Sequence, residues 1–205
     1  LRNYYQYDAD VIYPPVNTEN FAIAPKLEDY FLVVSRLNAY KRVEIVIRAF
    51  NQLCLPLRII GAGPQRDTLE KMAKPNIKFI GKVSEPEMAD NYARCQALIF
   101  PGEEDFGIVP LEAQSAGRPV IAYAKGGALE TVVEGITGLF FKEDTPESLM
   151  KAIGIFLADI KVFNSPAIRQ NAIKFDKTIF KQKMRNFIEE KYHIWQVNRT
   201  RNYRI

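Results

Sequence analysis

The chain has 205 residues, of which 47% are hydrophobic and 25% charged, and its formal net charge is +4. This composition supplies enough apolar surface for a folded core, which disfavours intrinsic disorder. No apolar run approaches the roughly 18 residues of a membrane span, and the start Leu-Arg-Asn-Tyr-Tyr is neither a signal nor a transit peptide. We therefore expect a cytoplasmic protein, or one bound at the cytoplasmic face of a membrane.

The beginning of the chain indicates a fragment of a longer protein, because it lacks an initiating methionine and predicted structure begins almost at once. Residues 8–17 read Asp-Ala-Asp-Val-Ile-Tyr-Pro-Pro-Val-Asn, and two consecutive prolines stiffen a connection in extended form. We predict a hinge segment over residues 1–17, one domain over residues 18–192 and a basic tail over residues 193–205.

Apolar runs and helical patterns alternate along the domain. The near-continuous apolar runs predict strands buried on both faces, at Phe31 to Val34, Leu57 to Ile60, Ile77 to Ile80, Ala97 to Phe100, Val120 to Tyr123 and Leu139 to Phe141. Helices are predicted between them, at about Arg42 to Leu53, Gln65 to Ala73, Glu85 to Ala93, Pro110 to Ala116, Leu129 to Val133 and Pro146 to Leu157. This alternation predicts an α/β fold with a doubly wound, Rossmann-like parallel sheet, which binds ligands at the carboxyl ends of its strands.

The C-terminal region carries the positive charge of the chain. Pro166 to Lys191 predicts one or two amphipathic helices, followed by a frayed basic end, and residues 161–205 have a formal charge of +8. A solvated helix face is the simplest interpretation, and docking to an acidic partner domain or peripheral contact with an anionic membrane stays open. Nucleic acid is not expected, because no aromatic platform or recognition motif accompanies the charge.

The cysteines and the single histidine point to no metal site. Cys54 and Cys95, with His193, cannot supply a tetrahedral zinc site without carboxylate help, so we predict that both cysteines are small core residues. His193 lies in the basic region and is expected to be solvated or hydrogen-bonded rather than catalytic.

Two carboxylates flank a glycine after the fourth predicted strand. Glu104 precedes Gly107, and Glu112 follows it by one or two helical turns. Gly107 permits backbone conformations that other residues avoid, and the amides after it are unpaired at a helix N-terminus, where anions bind. The alternative is an ordinary strand-loop-helix with solvated acids near the helix start.

The loops after the first two predicted strands offer cations and glycines. Arg36 follows the first strand and Lys41 opens the next helix, so that two fixed cations could neutralise a pyrophosphate. Gly61-Ala62-Gly63-Pro64 follows the second strand but fails as a dinucleotide fingerprint, because Arg66 takes the third glycine position.

Two further loops lie at the same edge of the predicted sheet, where we expect a ligand to bind. Ser84 and Glu87 form a predicted capping box after the third strand, beside Val83. Gly126-Gly127 and Glu130 follow the fifth strand. Each of these features also has a purely structural explanation, namely capping or a glycine turn.

In this order the motifs resemble those of the group-1, family-4, retaining glycosyltransferases with the GT-B fold. The matching elements are E-x7-E at Glu104 and Glu112, R-L-x-x-x-K at Arg36 and Lys41, the G-x-G-P loop and G-G-x-x-E. The resemblance covers about residues 8–192 and departs at Asp105, where glycine is usual. It implies that residues 18–192 are the donor-binding C-terminal domain, entered through the hinge, and that the N-terminal acceptor domain is missing.

The resemblance also implies roles for individual residues. Glu104, Arg36 and Lys41 are the implied catalytic residues. Donor binding would use Gly61, Gly63, Val83 at the nucleobase, Phe106, Gly107, Ile108, Glu112, Gly127 and Glu130. No cofactor or obligatory metal is implied, and the substrate would be a UDP-sugar or GDP-sugar, with GDP-mannose slightly preferred. The fragment alone should be inactive in transfer.

Two alternatives stay open. A GT-B sugar-nucleotide epimerase or phosphorylase would share the sheet and the anion-binding loops. A non-catalytic module would instead bind a membrane or nucleic acid through the basic tail.

Overall fold

The computed structural model describes residue 6 and residues 8–202 of the chain. Within that part, six strands form one sheet: β1 Phe31–Val34, β2 Leu57–Ile60, β3 Ile77–Gly81, β4 Leu98–Phe100, β5 Val120–Tyr123 and β6 Gly138–Phe141. All neighbouring strands are parallel and their order is β3-β2-β1-β4-β5-β6. The predicted doubly wound parallel sheet is confirmed.

Eight α-helices are found in the described residues, and they connect or follow the strands. They are α1 Val43–Leu53, α2 Arg66–Met72, α3 Glu85–Arg94, α4 Ile108–Ser115, α5 Ala128–Thr131, α6 Pro146–Ala158, α7 Ser165–Ile173 and α8 Lys177–Asn202. Short 3-10 turns lie at Thr18–Asn20, Ala39–Lys41 and Ile160–Val162.

Alternating strand residues pack into two separate cores, one on each face of the sheet. On one face, side chains such as Phe31, Ile59 and Ile121 pack against α1 and α6. On the other face, Leu32, Leu98 and their neighbours pack against α3 and α4. Burial of both faces is the reason that the strands appear in the sequence as unbroken apolar runs.

The order of the strands reverses between β1 and β4. Crossovers from β1 through β3 run in one direction along the sheet, and those from β4 through β6 run in the other. Because every strand is parallel, the loops after β1, β2, β3, β4 and β5 lie at one edge, and the crevice at such a reversal is where doubly wound sheets bind ligands.

A leading segment, residues 8–21, is tied to the junction of α7 and α8. The backbone of Val16 accepts from Lys177 N–H at 3.0 Å and donates to Phe175 at 2.9 Å. Asp176 is buried at this junction, where it accepts bonds from the hydroxyls of Thr18 at 2.6 Å and Thr178 at 2.7 Å. The two ends of the domain therefore pack together.

The pKa of Asp176 reflects these contacts. Burial opposes its ionisation, but hydroxyl and backbone bonds from Thr178 and Thr18 outweigh burial and hold the pKa of the carboxyl well below its usual range. Asp176 also precedes α8, where a carboxylate accepts hydrogen bonds from free amides and interacts favourably with the positive end of the helix dipole.

The structure corrects two expectations from the sequence. Cys54 is exposed, since it ends α1 with a φ of 55°, whereas Cys95 is buried as predicted. The predicted frayed end is instead helical, because α8 continues to Asn202 through most of the predicted tail. Residues 1–5 and 7 of the predicted hinge lie outside the described residues. No helix in the described part of the chain is both long and apolar enough to cross a bilayer.

Candidate functional site

The loops after β1 and β2 touch through their backbones. A Cβ atom added to Gly61 would lie 1.9 Å from the carbonyl oxygen of Ser35, and one added to Gly63 would lie 2.6 Å from that of Leu37. The G-x-G-P loop therefore needs its glycines for close approach to the loop that carries Arg36.

The loops after β4 and β5 meet in the same way. We call residues 101–107 the acidic loop and residues 124–127 the glycine turn. A Cβ atom on Gly126 would lie 2.3 Å from the Glu104 carbonyl oxygen, and one on Gly127 would lie 2.2 Å from the Cα atom of Phe106. The Gly127 N–H also donates to the Glu104 carbonyl at 2.7 Å. The two loops therefore form one continuous wall.

Two of the implied catalytic residues form an ion pair. The Lys41 ammonium contacts the Glu104 carboxylate, and their side chains are only 15% and 24% exposed. Gly102 packs against the Lys41 backbone, so the acidic loop also adjoins the loop after β1. Arg36 is exposed, and its guanidinium has no ion-pair or hydrogen-bond partner among residues 6 and 8–202.

The turn at Gly107 leads directly into α4. Gly107 has a φ of 82°, in the region that favours glycine, and it offers no side chain to cap the helix. The first amides of α4 are therefore open to an anion. Ile108, the first residue of the helix, has an exposed side chain.

Glu112 lies in the second turn of α4 in an unusual environment. The hydroxyl of the fully buried Tyr92 donates to its Oε2 atom at 2.7 Å. Burial raises the pKa of Glu112, and the bond from Tyr92 offsets part of that rise. Burial, together with the neighbouring carboxylate, likewise raises the pKa of Tyr92. A carboxylate held this way keeps one oxygen for another donor.

Glu112 also lines a cavity of about 300 Å³. Val83, Ser84, Met88 and Ile108 form much of its wall. The capping box is present beside it, because the Glu87 carboxylate accepts from both the backbone and the hydroxyl of Ser84. Val83, the nucleobase candidate, therefore shares one cavity with Glu112.

Sequence reasoning missed the opposite wall of this cavity. Residues 15–17, together with Asn20 and Phe21, line this side of the cavity. These residues belong to the leading segment, and the sequence carried only an indirect signal for them, the stiff pair Pro14-Pro15.

Glu130 and Phe106 lie at a second part of the edge. Glu130 is exposed in α5, just after the glycine turn, and its carboxylate lies beside the Tyr13 hydroxyl, where it raises the pKa of Tyr13. The ring of Tyr13 stacks on Phe106 with centroids 5.4 Å apart. Tyr13 is a further residue that the sequence did not single out.

The arrangement thus joins cations, carboxylates and open amides along one edge of the sheet. The Lys41 and Glu104 pair lies at the acidic loop, the Glu112 cavity lies on one side, and Glu130 lies in the segment that follows the glycine turn. Among the described residues, no group of three or more His, Cys, Asp or Glu side chains is placed to hold a metal ion. Such an edge can bind the phosphates of a nucleotide and the hydroxyls of its sugars.

The chain's family follows from comparison with known proteins. The fold is that of a GT-B glycosyltransferase domain, and the model of the family "Glycosyl transferases group 1" matches residues 17–174. The chain belongs to this family.

One curated relative and two solved structures illustrate the similarity. The GDP-mannose-dependent alpha-(1-6)-phosphatidylinositol monomannoside mannosyltransferase of Mycolicibacterium smegmatis is 32% identical over 176 residues, which is 71% of this chain and 46% of that protein. Sucrose-phosphate synthase from Thermosynechococcus elongatus has a TM-score of 0.81 at 23% identity, covering 90% of this chain and 53% of that one. Anabaena Alr3699/HepE, in complex with UDP and glucose, has a TM-score of 0.76 at 22% identity, covering 88% and 56%. The chain therefore spans about half the length of these proteins.

Proposed function

We propose that this chain binds a nucleoside diphosphate sugar and forms the donor half of a retaining glycosyltransferase that transfers a hexosyl group. The observation that carries the proposal is the meeting of Lys41 and Glu104 beside open helix amides. A cation and amides suit the diphosphate, and a carboxylate suits the sugar hydroxyls. Membership in the family and a structural neighbour that holds UDP and glucose support the same ligand class.

Each part of the edge then has a task. Arg36, Lys41 and the amides after Gly107 would neutralise the charge that develops on the leaving diphosphate, without an obligatory metal. Glu112 and Val83 would hold the nucleoside in the cavity. Glu104 and Glu130 would face the hexose. The Glu104 carboxylate would stabilise the positive charge that develops at the anomeric carbon in the transition state.

The acceptor would be held by a second domain. Since the chain spans about half of its relatives, we propose that the acceptor site lies in an N-terminal domain and that a cleft between the two domains excludes water. The 205-residue chain should therefore bind donor weakly and transfer no sugar. We place the full protein in the cytoplasm, with peripheral membrane contact as an added feature of the proposal.

Calorimetry with UDP, GDP and ADP, and with UDP-glucose and GDP-mannose, tests the proposal on this chain. We expect weak binding of one nucleoside diphosphate and of the sugar donor with the same base. GDP and GDP-mannose are slightly preferred, because the mycobacterial relative is named as GDP-mannose-dependent. Absence of heat and of thermal shift at millimolar ligand in every series would refute it. Acceptor glycosylation by the chain alone would refute its role as half an enzyme.

A matched set of variants makes the test specific. Arg36→Ala and Lys41→Ala should each weaken nucleotide binding by about 1 to 3 kcal/mol, the scale of a hydrogen bond to a charged group. Lys71→Ala, which removes an exposed cation from the last turn of α2, should leave binding unchanged.

A further inference from the structure

Tyr13 contacts the candidate site from outside the sheet. It lies in the leading segment, yet its ring stacks on Phe106 of the acidic loop with an interplanar angle of 19°. Phe175, which precedes the buried Asp176, lies 5.6 Å from the Tyr13 ring and 5.8 Å from the Phe106 ring. Three aromatic side chains from distant parts of the sequence thus form one cluster. Such pairs contribute more than the burial of their area alone.

The same residue reaches the helix after the glycine turn. Its hydroxyl lies beside the carboxylate of Glu130 in α5, and this contact raises the pKa of Tyr13. Phe106 and Gly127 are already in backbone contact, and the Gly127 N–H bonds to the Glu104 carbonyl. Tyr13 therefore touches both sides of the wall formed by the acidic loop and the glycine turn. It does not line the cavity of Val83 and Glu112.

We infer that Tyr13 is a positioning residue for the sugar side of the site, and this inference rests on the proposed function. Its ring fixes Phe106, and with it the backbone that carries Glu104 and Gly107. Its hydroxyl fixes the carboxylate of Glu130. Since the nucleoside cavity lies elsewhere, the Tyr13 hydroxyl acts on recognition of the hexose and leaves recognition of the nucleotide unchanged.

Two variants of the 205-residue chain separate the two contacts. Tyr13→Phe keeps the stacked ring and removes the hydroxyl beside Glu130, whereas Tyr13→Leu removes both. Tyr192→Phe and Tyr192→Leu are the matched controls, because Tyr192 is an exposed tyrosine of α8 that also stacks on an aromatic ring, that of Trp195.

The first measurement is binding, by calorimetry, of UDP against UDP-glucose and of GDP against GDP-mannose. We expect Tyr13→Phe to weaken binding of the nucleotide sugar about three- to tenfold and binding of the nucleotide less than twofold, because a partly exposed polar contact with a charged group is lost. Tyr13→Leu should weaken the nucleotide sugar further. Equal weakening of both ligands in Tyr13→Phe would indicate a purely structural role and would overturn the inference.

The second measurement needs no ligand. Amide hydrogen exchange at Gly127 and at residues 104–107 should be at least several-fold faster in Tyr13→Leu than in the wild type, with β5 unchanged. Unchanged exchange there would overturn the inference even if donors bind. Failure of the wild-type chain to bind any nucleotide would refute the proposed function separately. Faster exchange would then still support the contact, and unchanged exchange would overturn it.

Discussion

Glu112 is a residue whose charge is costly to the fold and, in the proposed function, binds the ribose of the donor. Its side chain is largely buried, and its one described partner, Tyr92, would bond equally well to a neutral amide oxygen. We expect Glu112→Gln to weaken a nucleoside diphosphate and its sugar equally, by about 1 to 2 kcal/mol, because ribose hydroxyls bond more strongly to a carboxylate. Calorimetry measures this, and equal affinity of variant and wild type would contradict it.

The same variant should not lose stability at pH 7. The pKa of Glu112 is raised in the folded protein, so the folded state keeps its proton to higher pH than the unfolded state. The wild type therefore loses stability as the pH rises from about 4.3, the ordinary glutamate pKa, through the folded value. In urea unfolding, the free energy of unfolding of Glu112→Gln should increase relative to that of the wild type between pH 4 and pH 7. The opposite trend would contradict this explanation.

Glu104 forms an ion pair with the Lys41 ammonium. Glu104→Gln removes the negative charge that competes with a diphosphate for the ammonium. We expect it to leave nucleoside diphosphate affinity equal to or tighter than that of the wild type, and to lower turnover with a sugar donor in the full-length enzyme, mainly in kcat.

A double-mutant cycle checks the mechanism behind this prediction. In the Lys41→Ala background, Glu104→Gln should not raise the affinity for the nucleotide, because the ammonium that Glu104 pairs with is absent. Weaker nucleotide binding in the Glu104→Gln single variant would argue for a direct contact between Glu104 and the phosphates.

The contact between the acidic loop and the glycine turn can be tested by adding one methyl group at Gly127. Gly127 has a φ of −64°, which alanine also adopts, but an added Cβ atom would lie 2.2 Å from Phe106. We expect Gly127→Ala to force the two loops apart, to destabilise the fold by about 1 to 3 kcal/mol, and to weaken nucleotide-sugar binding. Thermal unfolding and calorimetry measure the two effects.

Gly154 provides the control, since it is exposed within α6 and an added Cβ atom would meet nothing within 4 Å. Gly154→Ala should stabilise the protein by about 0.5 to 1 kcal/mol through helix propensity, and should leave binding unchanged. Similar losses in both variants would show that the close approach at Gly127 is unimportant.

The strands and most helices could be predicted from sequence because their signals are local. Three of the six described strands match their predicted limits and the others differ by one residue, as expected where both faces of a strand are buried. Cys54 was misplaced because its exposure depends on how the end of α1 turns, which periodicity does not encode. The helical tail was missed because α8 is polar over most of its surface, so apolar spacing gave a weak signal.

The candidate site could be predicted only one loop at a time. Parallel strands bring the loops that follow them to one edge, so Arg36, Lys41, Glu104 and Glu112 could be assigned to it from order alone. The pairing of Lys41 with Glu104, and the approach of Tyr13 to Glu130, depend on packing between segments far apart in sequence. No spacing rule reports such contacts.

At the scale of the whole molecule, Asp176 holds the two ends of the domain together. We expect Asp176→Asn to destabilise the protein by about 2 to 4 kcal/mol at pH 7, because one charged acceptor of several bonds is lost. Urea unfolding measures this, and Asp29→Asn, at an exposed aspartate, is the control expected to be neutral.

The loss should depend on pH with a definite sign. The pKa of Asp176 is depressed in the folded protein, so its contribution is present above the ordinary aspartate pKa of about 3.9 and is lost as the pH falls through the folded value. The difference in the free energy of unfolding between Asp176→Asn and the wild type should therefore become smaller in acid. A gap that is constant from pH 7 to acid would mean that the ionised carboxylate is not the source of the stability.

The long C-terminal helix has a consequence for spectroscopy. The sequence contains one tryptophan, Trp195, which is 52% exposed on α8 and stacked on Tyr192. Its emission therefore reports the surroundings of α8, whereas far-ultraviolet circular dichroism reports the sheet and all the helices. If the end of α8 frays first on heating, the fluorescence transition will precede the dichroism transition. A shift of the fluorescence signal alone, on addition of anionic vesicles or an acidic protein, would identify what the exposed face of this helix meets.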